Sequence, residues 1–506
     1  MKHSYLNAAT AKDFSGSDKF AYRFLEILPG ALSWGTILGA IFFSWFRPVW
    51  MAVFIIIFDI YWVVKTVYLS AHLRANWKRT RHYLEIDWRK KLENLKSEHI
   101  WQMVLLPFYK EDIGVIKNTL DKILESSWPR ERMIVVLAAE ARAGESAEET
   151  ARCIEEKYAF RFGKFLTTVH PAGLSGEIPG KGANIAWAAK KAKKEVIDVL
   201  KIPYENILVS AFDIDTQVYP QYFFCLTYHF LTADYPYRSS FQPVPLYNNN
   251  IWKAPVLSRV VATSGTFWQM MQQERPERLV SFSSHSLNFK ALLEADYWQK
   301  NMVSEDSRIF WNLFFRYDGD YRMVPLSYPV SLDANVGDNF WQTIKNIYKQ
   351  QRRWTWGVEN LPYLMFGCLK NKKIPWRKKA RMILTQLEGF WSLPTNPILI
   401  FILGWLPLLL GGQEFNATLL SYNLPRVTRA LMIVAMSGLV ISAIISTSLL
   451  PPKPKYLGKI KYAAVIAQWL LIPFTIIFFG AIPGLDAQTR LLLGRYLGFW
   501  VTPKKR

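Results

Sequence analysis

Residues 206–216 read NILVSAFDIDT, an apolar run that ends in two aspartates, Asp213 and Asp215. Comparable apolar runs come earlier in the chain: WQMVLLPFY from residue 101, RMIVVLA from residue 132 and KFLTTV from residue 164. Segments that we expect to be helical alternate with them, at 112–125, 145–160, 183–198 and 220–232. This alternation predicts βαβ units and a mostly parallel sheet within residues 99–345. Ligands bind at the carboxyl ends of such strands, where the two aspartates lie.

Apolar segments flank this region on both sides. Two of them, at 24–46 and 49–70, are long enough to cross a membrane, and three more blocks follow at 382–412, 427–450 and 463–482. The remaining parts are a polar tail at 1–23, a basic amphipathic connector at 71–98, interfacial helices at 346–381 and an amphipathic C-terminal segment at 483–506. The sequence therefore predicts a domain inserted between transmembrane helices.

The composition is that of a membrane protein. Hydrophobic residues make up 51% and aromatic residues 15% of the chain, with 21 Trp. Tryptophan at this level is typical of membrane interfaces and of surfaces that stack on sugars. Much of the net charge of +22 lies beside apolar segments, at 71–100 and 370–381, which favours cytoplasmic anchoring over nucleic-acid binding. The three cysteines are far apart, which argues against a disulfide framework and a zinc site.

Three groups of residues are candidates for metal binding, catalysis or substrate binding. Asp213 and Asp215 offer hard oxygen ligands to Mg²⁺ or Mn²⁺, a cation that a diphosphate leaving group needs. Asp306, in VSEDSR (303–308), is a candidate general base for a sugar hydroxyl. In QQRRW (350–354), arginine can bind phosphate oxygens bidentately and the indole offers a flat apolar face to a sugar ring. Together they predict sugar transfer at a membrane.

The order of these motifs resembles that of a known family. PFYKE (107–111), Glu140, GKGAN (180–184), the D-x-D, the E-D pair, QQRRW and FWVTPK (499–504) follow one another as in the membrane-integrated family 2 glycosyltransferases, the group of cellulose and hyaluronan synthases. The resemblance runs from residue 99 to the C-terminus. It implies an α/β catalytic domain of the GT-A type, Rossmann-like with a mostly parallel sheet, and a one-step inverting reaction.

The resemblance also assigns roles residue by residue. Asp213 and Asp215 are expected to hold the cation, and Asp306 is expected to be the base. The residues assigned to the donor and its diphosphate are Glu140, Lys181, Asn184, Asp213, Gln350, Arg353, Thr502 and Lys504. Glu140 stands where the family has a nucleoside-contacting aspartate, so the sequence leaves the base specificity open.

Trp354, Glu305 and His285 are assigned to the acceptor. Two alternatives stay open: Glu305 as an acid that stabilises the start of a helix, and His285 as a structural hydrogen-bonding residue. Residues 241–250, FQPVPLYNNN, are polar enough to line a groove, but Pro and Asn clusters are also typical of turns. This stretch receives no role.

The C-terminal FWVTPK resembles the gating loop that covers the active site of cellulose synthases from the cytoplasmic side. This implies phosphate contacts from Thr502 and Lys504 and a C-terminus on the side of the catalytic domain. Single crossings by all five apolar segments would put the C-terminus on the other side. We therefore expect one block to be re-entrant, and the proline-containing block 382–412 is the predicted one.

The predicted function is a membrane-bound, metal-dependent inverting glycosyltransferase that moves a sugar from a nucleotide sugar, expected to be a UDP-sugar, to a growing polysaccharide. Translocation of the product through its own helices is part of this expectation. The alternatives are a transferase that glycosylates a lipid once and, from another class, an inactive membrane scaffold. The expected location is the plasma or inner membrane, in contact with its lipids and with the catalytic domain in the cytoplasm.

Overall fold

The computed structural model of the chain describes residues 4–452, 454 and 458–503. Its strands are β1 Trp101–Pro107, β2 Met133–Glu140, β3 Lys164–His170, β4 Ile207–Ala211, β5 Gln217–Val218, β6 Ser239–Leu246, β7 Ser286–Asn288 and β8 Arg322–Ser331. They form one sheet in the order β3-β2-β1-β4-β7-β6-β8-β5. β3, β2, β1 and β4 run parallel, and antiparallel β7 joins them to the parallel pair β6 and β8.

The centre of the sheet is buried on both faces. Val104 and Leu106 of β1 pack into one apolar cluster, and Met103 and Leu105 of the same strand pack into a second cluster. Helices cover both faces, which explains why these strands read as continuous apolar runs rather than as alternating ones. The strand order reverses between β1 and β4, so a crevice is expected at their carboxyl ends.

The helices before and within the sheet domain are α1 Gly16–Phe46, α2 Pro48–Glu85, α3 Trp88–Leu92, α4 Ile113–Glu125, α5 Glu145–Tyr158, α6 Lys181–Ala192, α7 Asp198–Leu200, α8 Tyr222–Thr232, α9 Val256–Gln273, α10 Phe289–Glu294 and α11 Glu305–Arg316. Those after it are α12 Phe340–Thr355, α13 Asn360–Lys370, α14 Trp376–Ile402, α15 Leu406–Leu410, α16 Gly412–Asn416, α17 Leu419–Leu449, α18 Lys459–Ala467, α19 Ile472–Ile476 and α20 Ile482–Leu492. The predicted mixed α/β class with a mostly parallel sheet is confirmed.

Within the described residues, three helical stretches are long and apolar enough to cross a membrane: Gly16–Phe46, Pro48–Glu85 and Ala463–Leu492. They indicate association with a membrane. α1 and α2 form a hairpin, and Pro48 begins α2, a position where its missing N–H costs no hydrogen bond. α2 runs without a break to Glu85, so the first half of the predicted connector 71–98 continues the second apolar helix.

The first apolar block after the sheet domain does not fold back at its prolines, where the re-entrant turn was expected. α14 stays helical through Pro394 and Pro397. It follows α1, with the Trp391 indole N–H donating to Thr36 Oγ1 at 2.9 Å. Its end packs against the start of α2, where Leu399 and Leu403 share a cluster with Ala52. The block thus runs the length of the α1–α2 hairpin to its turn.

The last apolar segment has both ends on the side of the sheet domain. Near its start, the Trp469 ring stacks on Phe267 of α9 with centroids 5.2 Å apart. At its other end, Arg23 near the start of α1 donates to the Leu491 carbonyl at 2.8 Å. The segment Ala463–Leu492 is therefore the one that returns to the side from which it begins, although its length and composition would let it cross. The C-terminal segment, residues 493–503, consequently lies beside the sheet domain.

Candidate active site

The Lys181 ammonium lies between two carboxylates. It donates to Asp213 Oδ1 at 2.8 Å and to the two Asp306 oxygens at 3.0 and 3.1 Å. Lys181 is buried, whereas both aspartates are partly exposed. Burial alone lowers the pKa of Lys181, but the charges of Asp213 and Asp306 raise it above its ordinary value. We call Lys181, Asp213 and Asp306 the Lys181 cluster.

Three separate elements bring this cluster to one edge of the sheet. Lys181 is the first residue of α6, which packs on β2 and β1. Asp213 follows the end of β4, and Asp306 is in the first turn of α11. An acid in the first turn of a helix is favoured by the exposed N–H groups there. The cluster therefore lies at the carboxyl edge of the sheet, as predicted for the two strand-end aspartates.

The second acid of the D-x-D is more deeply buried than the first. Asp215 is fully buried, and its Oδ2 accepts a hydrogen bond from the Asp333 backbone N–H at 2.8 Å. Asp213 Oδ2 accepts from the Ser283 hydroxyl at 2.5 Å. Both acids thus have their orientation set by donors from elsewhere in the domain, just after β8 and in the loop before β7.

The acidic side chains of the site fit a divalent cation that takes only one or two ligands from the protein. In the described part of the chain, no group of three or more His, Cys, Asp and Glu side chains is placed to hold a metal ion. Mg²⁺ is commonly held by only one or two carboxylates and completes its coordination with water and substrate phosphates. Asp213 and Asp215 could serve a cation of this kind, which would arrive with a diphosphate.

Glu305 and His285 adjoin the cluster but are buried. Burial, and then the charge of Asp306, raise the pKa of Glu305 above its ordinary value. Burial lowers the pKa of His285, although Asp306 acts in the opposite direction. His285 Nε2 receives the Trp298 indole N–H at 3.2 Å, and its Nδ1 lies 3.0 Å from the Phe282 carbonyl. Nδ1 therefore carries the proton, and both ring nitrogens have protein partners.

The QQRRW motif lies on α12 and lines a cleft with Asp333, Asn335 and Tyr247. The Trp354 ring lies 5.7 Å from the Tyr247 ring and 6.2 Å from the Phe282 ring, measured between centroids. Gln350 is buried and lines the cleft, and Arg353 lies over the Phe499 ring at 4.9 Å. The motif thus joins the cleft to the C-terminal segment.

The C-terminal segment reaches the loop that carries Lys181. A Cβ at Gly180 would lie 2.7 Å from Phe499 Cγ, so only glycine allows this approach. Thr502 is buried, and its hydroxyl has no hydrogen-bond partner among the described residues. Lys504 lies outside the described residues.

Two of the predicted donor residues lie apart from the cluster. Glu140 ends β2 and pairs with Arg142, whose Nη2 donates to Glu140 Oε1 at 3.2 Å. Asn184 is fully buried, and its amide donates to the Ala138 carbonyl at 2.8 Å, which ties α6 to β2. The described contacts of Asn184 are those of a residue that holds the fold together.

Sequence reasoning missed Ser283 and Asp333. Ser283 belongs to FSSHS (282–286), in which the sequence assigns a candidate role only to His285. A serine two residues before that histidine was the available signal. Asp333 is a single acid after a strand, and nothing in its local sequence indicates that its backbone N–H binds Asp215.

A comparison with protein families matches residues 208–479 to the family described as glycosyl transferase family group 2, which is more than half of the chain. The chain belongs to glycosyl transferase family group 2. The matched stretch begins in β4 and contains Asp213, Asp215, Asp306 and the QQRRW motif of this glycosyltransferase. A comparison with curated protein sequences finds no match.

Several solved structures are similar to this glycosyltransferase. The mannosyltransferase PcManGT from Pyrobaculum calidifontis, in complex with GDP-Man and Mn²⁺, is 13% identical with a TM-score of 0.41; the similarity covers 76% of this chain and 99% of that one. TarS 1–349 from S. aureus, in complex with UDP-GlcNAc, is 14% identical with a TM-score of 0.35, over 69% and 91% of the chains. GalNAc-T7 with UDP, GalNAc and Mn²⁺ is 11% identical with a TM-score of 0.35, over 58% and 59%.

Proposed function

We propose that this family 2 glycosyltransferase is an inverting, membrane-bound enzyme that transfers a sugar from a nucleotide sugar to the hydroxyl of a growing polysaccharide. The observation that carries the proposal is the Lys181 cluster. A single ammonium contacts an acid at a strand end and an acid at a helix start, 2.8 Å and 3.0 Å away. A base and a diphosphate-binding group are needed side by side when a hydroxyl replaces a diphosphate.

Asp306 is the base in this reaction. Its carboxylate takes the proton of the acceptor hydroxyl while that oxygen attacks the anomeric carbon. The bond between the anomeric carbon and the diphosphate oxygen breaks at the same time, and its electron pair leaves with the nucleoside diphosphate. The proton then passes from Asp306 to water. Attack opposite to the leaving group inverts the anomeric configuration in one step.

Lys181 and the two acids of the D-x-D serve the leaving group. The Lys181 ammonium lies between Asp306, the base, and Asp213. Its positive charge there can offset the negative charge that develops on the diphosphate. Asp213 and Asp215 would hold Mg²⁺ or Mn²⁺, which supplies further charge compensation when bound. Arg353 lies over the Phe499 ring of the C-terminal segment, and the Thr502 hydroxyl, which has no hydrogen-bond partner among the described residues, could bind a phosphate oxygen.

The acceptor side of the site faces the apolar helices. Residues 274–285, which we call the acceptor loop, carry Ser283 next to Asp213. Arg278 of this loop binds Glu388 of α14 at 3.0 Å, and the same carboxylate binds Lys65 of α2 at 2.7 Å. An acceptor that leaves through the membrane helices fits this placement, and so does a lipid acceptor. The polysaccharide is our first proposal and the lipid is the alternative.

The proposed location is the plasma or inner membrane, with the sheet domain in the cytoplasm. The basic stretches at 71–100 and 370–381 support this side, because positive charge beside apolar segments favours the cytoplasm. The return of the last apolar segment to the side of the sheet domain supports a C-terminal segment that acts on the donor site.

The test is product size with labelled donors. The protein in lipid nanodiscs is supplied with a panel of UDP- and GDP-sugars and Mg²⁺ or Mn²⁺, and products are sized before and after lipid extraction. Chains of increasing length support a polysaccharide synthase, and a single sugar that partitions into organic solvent supports a lipid acceptor.

The matched control pair is Asp306→Asn and Asp320→Asn. Asp320 is an exposed acid that pairs with Arg238 on the surface of the same domain. Loss of product in the first variant only is expected. Equal activity in both variants would defeat the assignment of the base, and no turnover of any donor by the parent protein would favour the inactive scaffold.

A further inference from the structure

The asparagine run after β6 lies between the D-x-D turn and the end of β8. The Asn249 amide nitrogen donates to the Asp215 backbone carbonyl at 2.9 Å and to Asp333 Oδ1 at 2.9 Å. An amide NH₂ has two N–H bonds, and both are used here. Its partners are a carbonyl and a carboxylate, which are both acceptors. Only the NH₂ end of the side chain can therefore face this position.

Asp333 connects Asn249 to Asp215, the second acid of the D-x-D, through hydrogen bonds. Its backbone N–H donates to Asp215 Oδ2 at 2.8 Å, while its own carboxylate is held by Asn249. Asp215 is fully buried. A buried carboxylate depends on protein donors for its orientation, because bulk water does not reach it. The position of Asp215 thus depends on Asp333, and that of Asp333 depends on Asn249.

The same stretch continues toward α12. Asn250 exchanges two hydrogen bonds with the backbone of Ala334, at 2.9 and 2.8 Å. The next residue, Asn335, has its amide 3.4 Å from Gln350 Oε1, a long contact. Asn249 and Asn250 therefore join the acid turn to the segment that leads into the QQRRW helix.

We infer that Asn249 is a positioning residue for the donor site: its amide fixes Asp333 and the Asp215 turn, and through them the orientation in which Asp215 can bind a cation with its diphosphate. This inference rests on the proposed function. It also gives a role to FQPVPLYNNN, which the sequence left without one. Groups that hold a metal-binding carboxylate are known to change metal affinity or activity by about 10–100-fold when they are replaced.

Asn249→Asp tests the inference with little change in side-chain size. The new carboxylate would face the Asp215 carbonyl and the Asp333 carboxylate, so two hydrogen bonds become repulsions. The measurement is binding of Mn²⁺ by electron paramagnetic resonance, with UDP and with GDP present, together with KM and kcat for the donor. We expect at least about tenfold weaker Mn²⁺ binding in the presence of the nucleotide, with activity partly recovered at high Mn²⁺.

Asn248→Asp is the matched control, since it introduces the same charge one residue away. Asn248 Oδ1 contacts the Ser331 hydroxyl, which also contacts Asn249 Oδ1, and an aspartate at position 248 keeps this acceptor. The double variant Asn249→Asp/Asp333→Asn exchanges the amide and the carboxylate, so it should recover part of the Mn²⁺ affinity. If Asn249→Asp does not fold, Asn249→Ala removes the two bonds without adding charge and is measured in the same way.

Two results would overturn the inference. If the parent protein transfers sugar and Asn249→Asp, or Asn249→Ala in its place, binds Mn²⁺ as the parent does, Asn249 does not position the site, and the proposed function stands. If the parent protein binds neither UDP nor GDP with Mn²⁺ and transfers no sugar, the proposed function fails and the inference fails with it.

Discussion

The Lys181 cluster and the C-terminal segment lie side by side, but different parts of the molecule hold them. The side chains of the cluster come from α6, from the end of β4 and from α11, and these three elements are packed into the sheet domain through buried residues. The C-terminal segment is held by α1: the Tyr496 hydroxyl donates to Glu26 Oε2 at 2.8 Å, and Glu26 is buried. Arg23, next to Glu26, binds the carbonyl of Leu491 at the end of α20.

This difference separates two tasks. Side chains on packed helix and strand ends keep their positions, which suits groups that must act on a reacting atom. A terminal segment with few backbone hydrogen bonds can move at a small cost in free energy, which suits a cover over a charged ligand. We therefore expect changes in the cluster to affect the chemical step and changes in the C-terminal segment to affect how the donor is held.

The largest expected effect is that of Asp306→Asn. Loss of the general base should lower turnover by at least about 10²-fold, while binding of the donor nucleotide stays within about threefold of the parent protein. Single-turnover kinetics and nucleotide titration measure the two quantities separately. A parallel loss of nucleotide affinity would mean that Asp306 binds the donor instead of acting on the acceptor.

The next effect is that of Lys181→Met, which keeps the length of the side chain and removes its charge. Asp213 and Asp306 would then face each other without the ammonium, so turnover should fall by at least about tenfold and the protein should lose about 1.5–3 kcal/mol of stability, the range for hydrogen bonds to charged groups. Chemical unfolding and steady-state kinetics in detergent measure both losses.

The pH dependence of this loss has a definite sign. The pKa of Lys181 is raised in the folded protein, so its contribution to stability is fully present below the ordinary lysine pKa of about 10.4 and is lost only as the pH rises through the higher folded value. The difference in unfolding free energy between the parent protein and Lys181→Met should therefore stay constant between about pH 6 and pH 9. A difference that shrinks within this window would contradict the ion pair.

Local sequence predicted the elements of the cluster well and their partners poorly. Buried parallel strands read as continuous apolar runs, so β1 to β4 and the acids at their ends were found. The partners of those acids come from far along the chain: Ser283 lies before β7, and Asp333 follows β8. Such pairings depend on the order of strands in the sheet, which apolar periodicity does not contain.

The membrane segments show the same limit. Hydropathy found the apolar blocks, but the prolines of 382–412 suggested a turn that the structure does not have at these positions. Pro394 and Pro397 lie inside a continuous α14, where neighbouring helices can satisfy the freed backbone groups. The segment that returns is the last one, and its path is set by contacts with Phe267 and Arg23, which lie in other elements.

A smaller effect should separate Trp354 from the C-terminal segment. Trp354→Ala should reduce elongation by about tenfold and leave hydrolysis of the donor by water partly intact, because stacking on an aromatic ring positions the acceptor. Deletion of residues 499–506 should weaken elongation and hydrolysis together, because the donor loses its cover. Polymer yield and released nucleotide are measured in the same reactions. Unchanged kinetics after the deletion would remove the gating role from FWVTPK.

The smallest expected effect comes from Tyr496→Phe, which removes the hydroxyl that holds the C-terminal segment to Glu26 of α1. The loss of hydrogen bonding is expected to cost about 0.5–1.5 kcal/mol, and part of this cost should show as a rise of about threefold in KM for the donor with kcat little changed. Phe499 and its approach to Gly180 remain, so the segment should loosen rather than leave. Tyr317→Phe is the control, because the Tyr317 hydroxyl also donates to a glutamate, Glu294, but at an exposed position on the sheet domain.

Limited proteolysis of the C-terminus, with and without nucleotide, should show faster cleavage in Tyr496→Phe and no change in Tyr317→Phe. Equal cleavage in the two variants would mean that the contact with α1 does not hold the segment, and the difference between the Lys181 cluster and the C-terminal segment would then have to come from residues 497–503 alone.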